Sequence, residues 1–222
     1  MRQVPLALGP EPAQRFDNFL VMDGNAQAVS HLADGLGDTP VYLWGEPGSG
    51  KSHLLHALAA RAQAEGFKAI ACSADQPAPW HWDEATRLVL LDDCDRFDAP
   101  QQHAAFALFI EAVGAGVPVV AAGRLPPVDL PVRDDLRTRL GWGLVFHLLP
   151  PGESQVRSLL RQEADRRGIF LSDEVMDHLL TRFERNLAHL MNLLDRLDQY
   201  ALASQRAVTV PLLKRMLAEE TP

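Results

Sequence analysis

Residues 45–52 read Gly-Glu-Pro-Gly-Ser-Gly-Lys-Ser and stand between two patterned stretches, the apolar run "PVYLW" before them and "HLLHALAARAQAEG" after them. The first predicts a short strand, and the second places Leu54, Leu55, Leu58 and Ala62 at helical spacing. Glycines at such a strand-to-helix turn let the backbone direct its N–H groups inward, and the helix N-terminus adds partial positive charge at the same point. The spacing is that of G-x-x-x-x-G-K-[ST], a cradle for phosphate oxygens. Its residue types assign Lys51 to the β/γ-phosphates and the Ser52 hydroxyl to Mg2+. The expected nucleotide-binding set is therefore Gly45, Glu46, Pro47, Gly48, Ser49, Gly50, Lys51 and Ser52, with His53 directly after it.

Such a site needs a second element, an apolar strand ending in a carboxylate. "RLVLLDDCD" supplies one: Leu88 to Leu91 form a continuous apolar run of the kind buried on both faces, and Asp92 and Asp93 follow at its carboxyl end. Asp92 is expected to join Ser52 in holding Mg2+. Asp93 is a candidate for orienting water, but it reaches less far than a glutamate, so turnover by this chain alone is expected to be weak. Asp95 reads as a loop residue or a cap. "VPVVAAGR" and "LVFHLLP" (strand roughly at 144–148) give further strands, separated by the helical "AAFALFIEAVGAG" and the short polar "VRDDLRTRLGWG". Five strands alternating with helices predict an α/β fold with a mostly parallel sheet covered on both faces.

The pattern changes after Pro150-Pro151-Gly152, where only amphipathic helices follow. Val156, Leu159, Leu160 and Ala164 mark the first. Val175 to Phe183 follow a Ser172 cap, Leu187 to Ala201 follow an Asn186 cap, and Leu212 to Leu217 mark the last. The expected organisation is a tail (1–12), a nucleotide-binding α/β domain (13–150) and a small helical domain (151–222).

A net charge of −8 gives the long-range field the wrong sign for a polyanion, so direct sequence-specific DNA binding is not expected. Cys72 and Cys94 belong to no CxxC pair and fit a reducing compartment. The apolar start of the chain is too short for a membrane span and lacks a secretory h-region; the protein reads as cytoplasmic. His53 and His56 come without the carboxylate or cysteine set of a zinc site. Trp80 and Trp82 in "PAPWHW" read as cover for the sheet or as a partner contact.

"FDNFLVMDGNAQAV", "WGEPGSGKSHLLHALA", "LLDD", "GRLPP", "DLRTRLGWGLVFHLLPP" and "TRFERNLAHLMNLLDRLDQYA" together resemble the DnaA-related branch of the AAA+ P-loop NTPases, in which a helical lid follows the α/β domain. The resemblance spans residues 13–220. Its regulatory members imply a chain that binds ADP or ATP with Mg2+ and acts on DnaA. They also imply docking on the sliding clamp of DNA polymerase III, since "QVPLAL" is similar to the short peptides that do so, with Gln3, Leu6 and Leu8 as anchors. Six residues carry little information, and a terminal segment that merely contains Gln and Leu is the alternative. On its own Arg139 reads as the structural partner of Asp134 or Asp135; the resemblance assigns it instead to the family's arginine finger, which acts in trans on a neighbouring subunit's ATP. Arg133 and Arg137 complete a local basic cluster. Two departures stand out. The branch carries Asp-Arg where this chain has Gly123-Arg124, and its lid sensor arginine falls on Ala188, with Arg185 and His189 nearby. Both predict slow hydrolysis in cis. A DnaC-like helicase loader or other free-standing motor, and a non-catalytic adaptor, are the alternative readings, and a homo-oligomer is compatible with all three.

Overall fold

The computed structural model describes residues 14–183 and 187–220, which form two compact units divided between Pro150 and Pro151. Gln3, Leu6, Leu8, Arg185 and the Asn186 cap lie outside the described residues.

The first unit is built on β1 (Val41–Trp44), β2 (Lys68–Cys72), β3 (Thr86–Leu91), β4 (Val119–Gly123) and β5 (Leu144–His147), paired throughout in parallel in the order β2-β3-β4-β1-β5. Side-chain alternation along each strand divides the core in two. Val41, Leu43, Leu88, Leu90, Val120 and Ala122 pack beneath α1 (Ala26–Asp34) and α2 (Lys51–Ala64). Tyr42, Val89, Leu91, Val119 and Ala121 face α3 (Ala99–Gly114) and α4 (Asp134–Leu140). The continuous apolar runs of β3 and β4 follow from this double burial. Trp80 and Trp82 pack partly buried against the second face, with Trp80 edge-on to Phe97 at 5.3 Å.

Two elements differ from the sequence pattern. Helix α3 starts five residues before "AAFALF", because the Asp98 carboxylate accepts from the Gln101 amide at 2.8 Å and Gln101 Oε1 accepts from the Asp98 amide at 2.9 Å. This reciprocal cap satisfies two end groups of the helix. Gln101 also donates to Ala74 O and Gln76 O, tying α3 to the segment after β2. Helix α1, unmarked by the pattern, begins within residues 16–29 and runs beyond them, burying Ala28, Val29 and Leu32.

The second unit holds α5 (Glu153–Arg166), α6 (Asp173–Arg182), α7 (Leu187–Ser204) and α8 (Val210–Glu220) around Val156, Leu160, Met176, Leu179, Leu190, Leu194 and Leu213. Ser172 caps α6 by accepting from the Val175 amide. Arg167 bridges Glu163 of α5 and Asp195 of α7. Ala188 falls on α7. No helix among the described residues is long and apolar enough to cross a membrane.

Candidate functional site

The chain leaves β1 toward β2 on one side of the sheet and leaves β4 toward β5 on the other, so a crevice opens where β1 and β4 diverge, beyond their carboxyl ends. The loop 45–50 and the end of β4 border that crevice. Gly45 begins the loop at φ 153°, and a Cβ there would stand 2.1 Å from Leu148 O, so only glycine lets the chain turn.

Lys51, at 7% exposure, folds back into the loop and donates to Gly45 O (2.8 Å), Glu46 O (3.0 Å) and Ser49 Oγ (3.3 Å). Burial lowers its pKa, and the nearby Asp92, Asp93 and Asp95 only partly offset that. A desolvated ammonium held inside a ring of loop oxygens is poised for a stronger anion. The donor set therefore fits a polyphosphate, with Lys51 and the loop amides as donors and the exposed Ser52 hydroxyl and Asp92 as available metal ligands.

Asp93 takes a left-handed backbone (φ 53°), and its carboxylate accepts from Arg96 Nη1 at 3.0 Å. Burial and the neighbouring Asp92 raise its pKa, opposed by Arg96. The candidate water-orienting group is thus already held by a guanidinium, which also reaches Asp75. Asp95 caps the turn after β4 by accepting from the Arg124 amide at 2.7 Å.

The end of β4 explains the departure at Gly123. A Cβ on Gly123 would meet the Tyr42 hydroxyl at 2.3 Å and Asp95 Oδ1 at 3.1 Å. Tyr42 reaches there from β1, buried, and donates to Leu125 O at 3.0 Å. Burial, with Cys94 and Asp95, pushes its phenol pKa far up, so it stays neutral. Tyr42 and Asp95 are the site residues that the sequence reading missed as neighbours of this position; a tyrosine in an otherwise aliphatic strand was the available signal.

His53 and His56 have a different task from metal binding. His53 Nε2 bonds Arg15 O at 2.9 Å, and His56 Nδ1 bonds Gln14 Oε1 at 2.5 Å. Phe19 lies edge-on to His53 and covers Gly50. The segment 14–19 is thereby strapped across the start of α2. Burial, reinforced by His56, lowers the His53 pKa against the opposing pull of Arg15 O. The unfolded chain then takes up a proton near the ordinary imidazole value of 6.5 that the folded chain accepts only at lower pH. Stability from this group is complete above that value and falls as pH drops through the window below it. Thermal melts between pH 8 and 5 are expected to show a shallower acid loss for His53→Gln than for the intact chain.

The basic cluster on α4 divides. Arg133 pairs with Asp135 (2.6 Å) and lies over Phe106, while Arg137 pairs with Asp134 and donates to Leu130 O. Both carboxylates considered as partners for Arg139 are therefore taken. Arg139 itself, half-buried, has no carboxylate partner among the described residues and lies over the Trp142 ring, its Cζ 5.7 Å from the ring centroid. It lines an open groove of about 450 Å³ with Phe106, Asp135, Thr138 and Trp142.

A phosphate-type loop between β1 and α2, carboxylates after β3 and a helical unit after a five-stranded parallel sheet define an AAA+ P-loop protein with a C-terminal lid. The family description "Hda, lid domain" matches residues 153–217. An uncharacterized protein of Haemophilus influenzae is 30% identical over 228 residues, spanning 97% of this chain and 98% of that one. Domain III of the replication initiation protein DnaA of Thermotoga maritima shares the fold with a TM-score of 0.75 at 23% identity, covering 96% of this chain and 99% of that one. AMPPCP-bound DnaA from Aquifex aeolicus does so at 0.70 and 21%, covering 95% and 70%. The chain is an Hda-like, DnaA-related AAA+ protein.

Proposed function

We propose that this chain accelerates hydrolysis of ATP bound to DnaA by presenting Arg139 to that nucleotide in trans while its own tail, through Gln3, Leu6 and Leu8, holds the sliding clamp. The observation that carries the reading is the division of the α4 cluster: Arg133 and Arg137 are each ion-paired, and Arg139 has no carboxylate partner among the described residues. A fixed cation beside a transferring phosphoryl group stabilises charge that develops only in the transition state.

The chain's own loop would bind ADP or ATP through Lys51 and the loop amides, with Ser52 and Asp92 holding Mg2+. Its own turnover would be slow, because Asp93 is engaged by Arg96 and Gly123 offers no side chain. Nucleotide would then chiefly keep the unit in its working form.

Phosphate release from ATP-loaded DnaA, with clamp loaded on DNA, tests the reading. Deleting residues 2–8 is expected to remove the dependence on clamp and leave little stimulation at low regulator concentration. An Arg139→Ala chain that stimulates as well as the intact one overturns the finger assignment. Turnover without DnaA that is indifferent to the deletion would instead favour a free-standing motor. Unchanged DnaA hydrolysis by intact chain would favour an adaptor.

A further inference from the structure

We infer that Trp142 is a positioning residue for Arg139, holding the guanidinium in an outward, donor-ready arrangement; this rests on the finger reading above. Trp142 is 61% exposed, an unusual placement for so large an apolar ring. Its backbone is nevertheless fixed on both sides. The Trp142 amide donates to Arg139 O at 3.2 Å, closing a turn that brings the indole back beside the last turn of α4. On the other side, Gly143 presses against Pro40, where a Cβ would lie 1.9 Å from Pro40 O, and the Leu144 amide bonds the same oxygen at 2.9 Å. The ring is thus carried on a pinned segment and displayed toward solvent with Arg139 as its cationic neighbour.

The chemistry of the pair suits the role. An arginine beside a carboxylate is ordered, but its donors and its charge are consumed, as happens at Arg133 and Arg137. An indole attracts a cation through its π face without accepting its N–H groups, so the planar fork stays available for phosphate oxygens. Ordering the long side chain in advance removes rotamer entropy that would otherwise be lost in reaching the transition state.

The test is the DnaA phosphate-release assay run over a titration of regulator. Trp142→Ala is expected to lower the maximal stimulated rate by about two- to fivefold, the range of an exposed cation–π contact. The half-saturating concentration and the melting temperature should stay unchanged, and Trp142→Phe should recover most of the loss. In NMR spectra of the regulator alone, the Arg139 Nε–H proton, assigned with Arg139→Lys, should lose its ring-current shift in Trp142→Ala. A changed half-saturating concentration with an unaltered maximal rate would overturn the inference and make Trp142 a partner contact. An unchanged Nε–H shift would overturn it too, as would a rate loss that merely follows a fall in melting temperature. If Arg139→Ala abolishes stimulation and Trp142→Ala does nothing, the positioning role alone fails; if Arg139→Ala is also harmless, the finger reading fails with it.

Discussion

An Arg139→Ala chain is expected to fold, bind the clamp and bind nucleotide as the intact chain does, and yet to lose about 10³-fold or more of the accelerated hydrolysis of DnaA-bound ATP. Folding is spared because the side chain is half-exposed and joins no ion pair among the described residues; surface changes of that kind usually stay within about 0.5 kcal/mol. The rate loss is expected to be large because, on the proposed reading, the guanidinium would meet charge only as the phosphoryl group departs, an interaction that ground-state binding does not report. Arg139→Lys should recover little, since an ammonium lacks the planar fork and is more strongly hydrated. Arg137→Ala is the matching control. It removes a pair with Asp134 and a bond to Leu130 O, and should leave stimulation near normal. Single-turnover phosphate release at saturating regulator separates the three variants.

Gly45→Ala should be the most damaging change at the loop. A Cβ cannot stand 2.1 Å from Leu148 O, and the φ of 153° is itself closed to side-chain-bearing residues. Relief requires either the loop or the end of β5 to move, and Leu148 is fixed from the other side by its amide bond to Trp44 O at 2.7 Å. The combined cost is roughly 3 kcal/mol or more, lowering the Tm of the first unit by roughly 10 °C. Because the Lys51 ammonium donates to Gly45 O, the displaced loop should also lose nucleotide affinity. Circular-dichroism melts and titration with a fluorescent ADP analogue read the two effects, and retention of both stability and affinity would contradict the loop geometry.

The parallel sheet was legible because β1, β3 and β4 are buried on both faces and so carry unbroken apolar runs. β2 was harder to see: as an edge strand it is buried only at Cys72, and "KAIAC" has no long apolar run to announce it. The loop residues 45–52 are contiguous, and their spacing alone states their chemistry. What bears on them from a distance was not legible. Tyr42 reaches Gly123 from the adjoining strand, Gln14 and Arg15 are tied to histidines some forty residues on, and Arg96 engages Asp93 through a left-handed turn. None of these juxtapositions follows a periodicity. The partition of the basic cluster was likewise undecidable from spacing, since Asp134 and Asp135 lie within reach of several arginines, and side-chain geometry assigns them to Arg137 and Arg133.

The phenol of Tyr42 makes positions 42 and 123 mutually dependent. With its oxygen 2.3 Å from where a new side chain would begin, a side chain at 123 forces the Tyr42 hydroxyl to shift, and removing that hydroxyl leaves the Leu125 carbonyl without its donor. Position 123 can therefore change only in step with position 42.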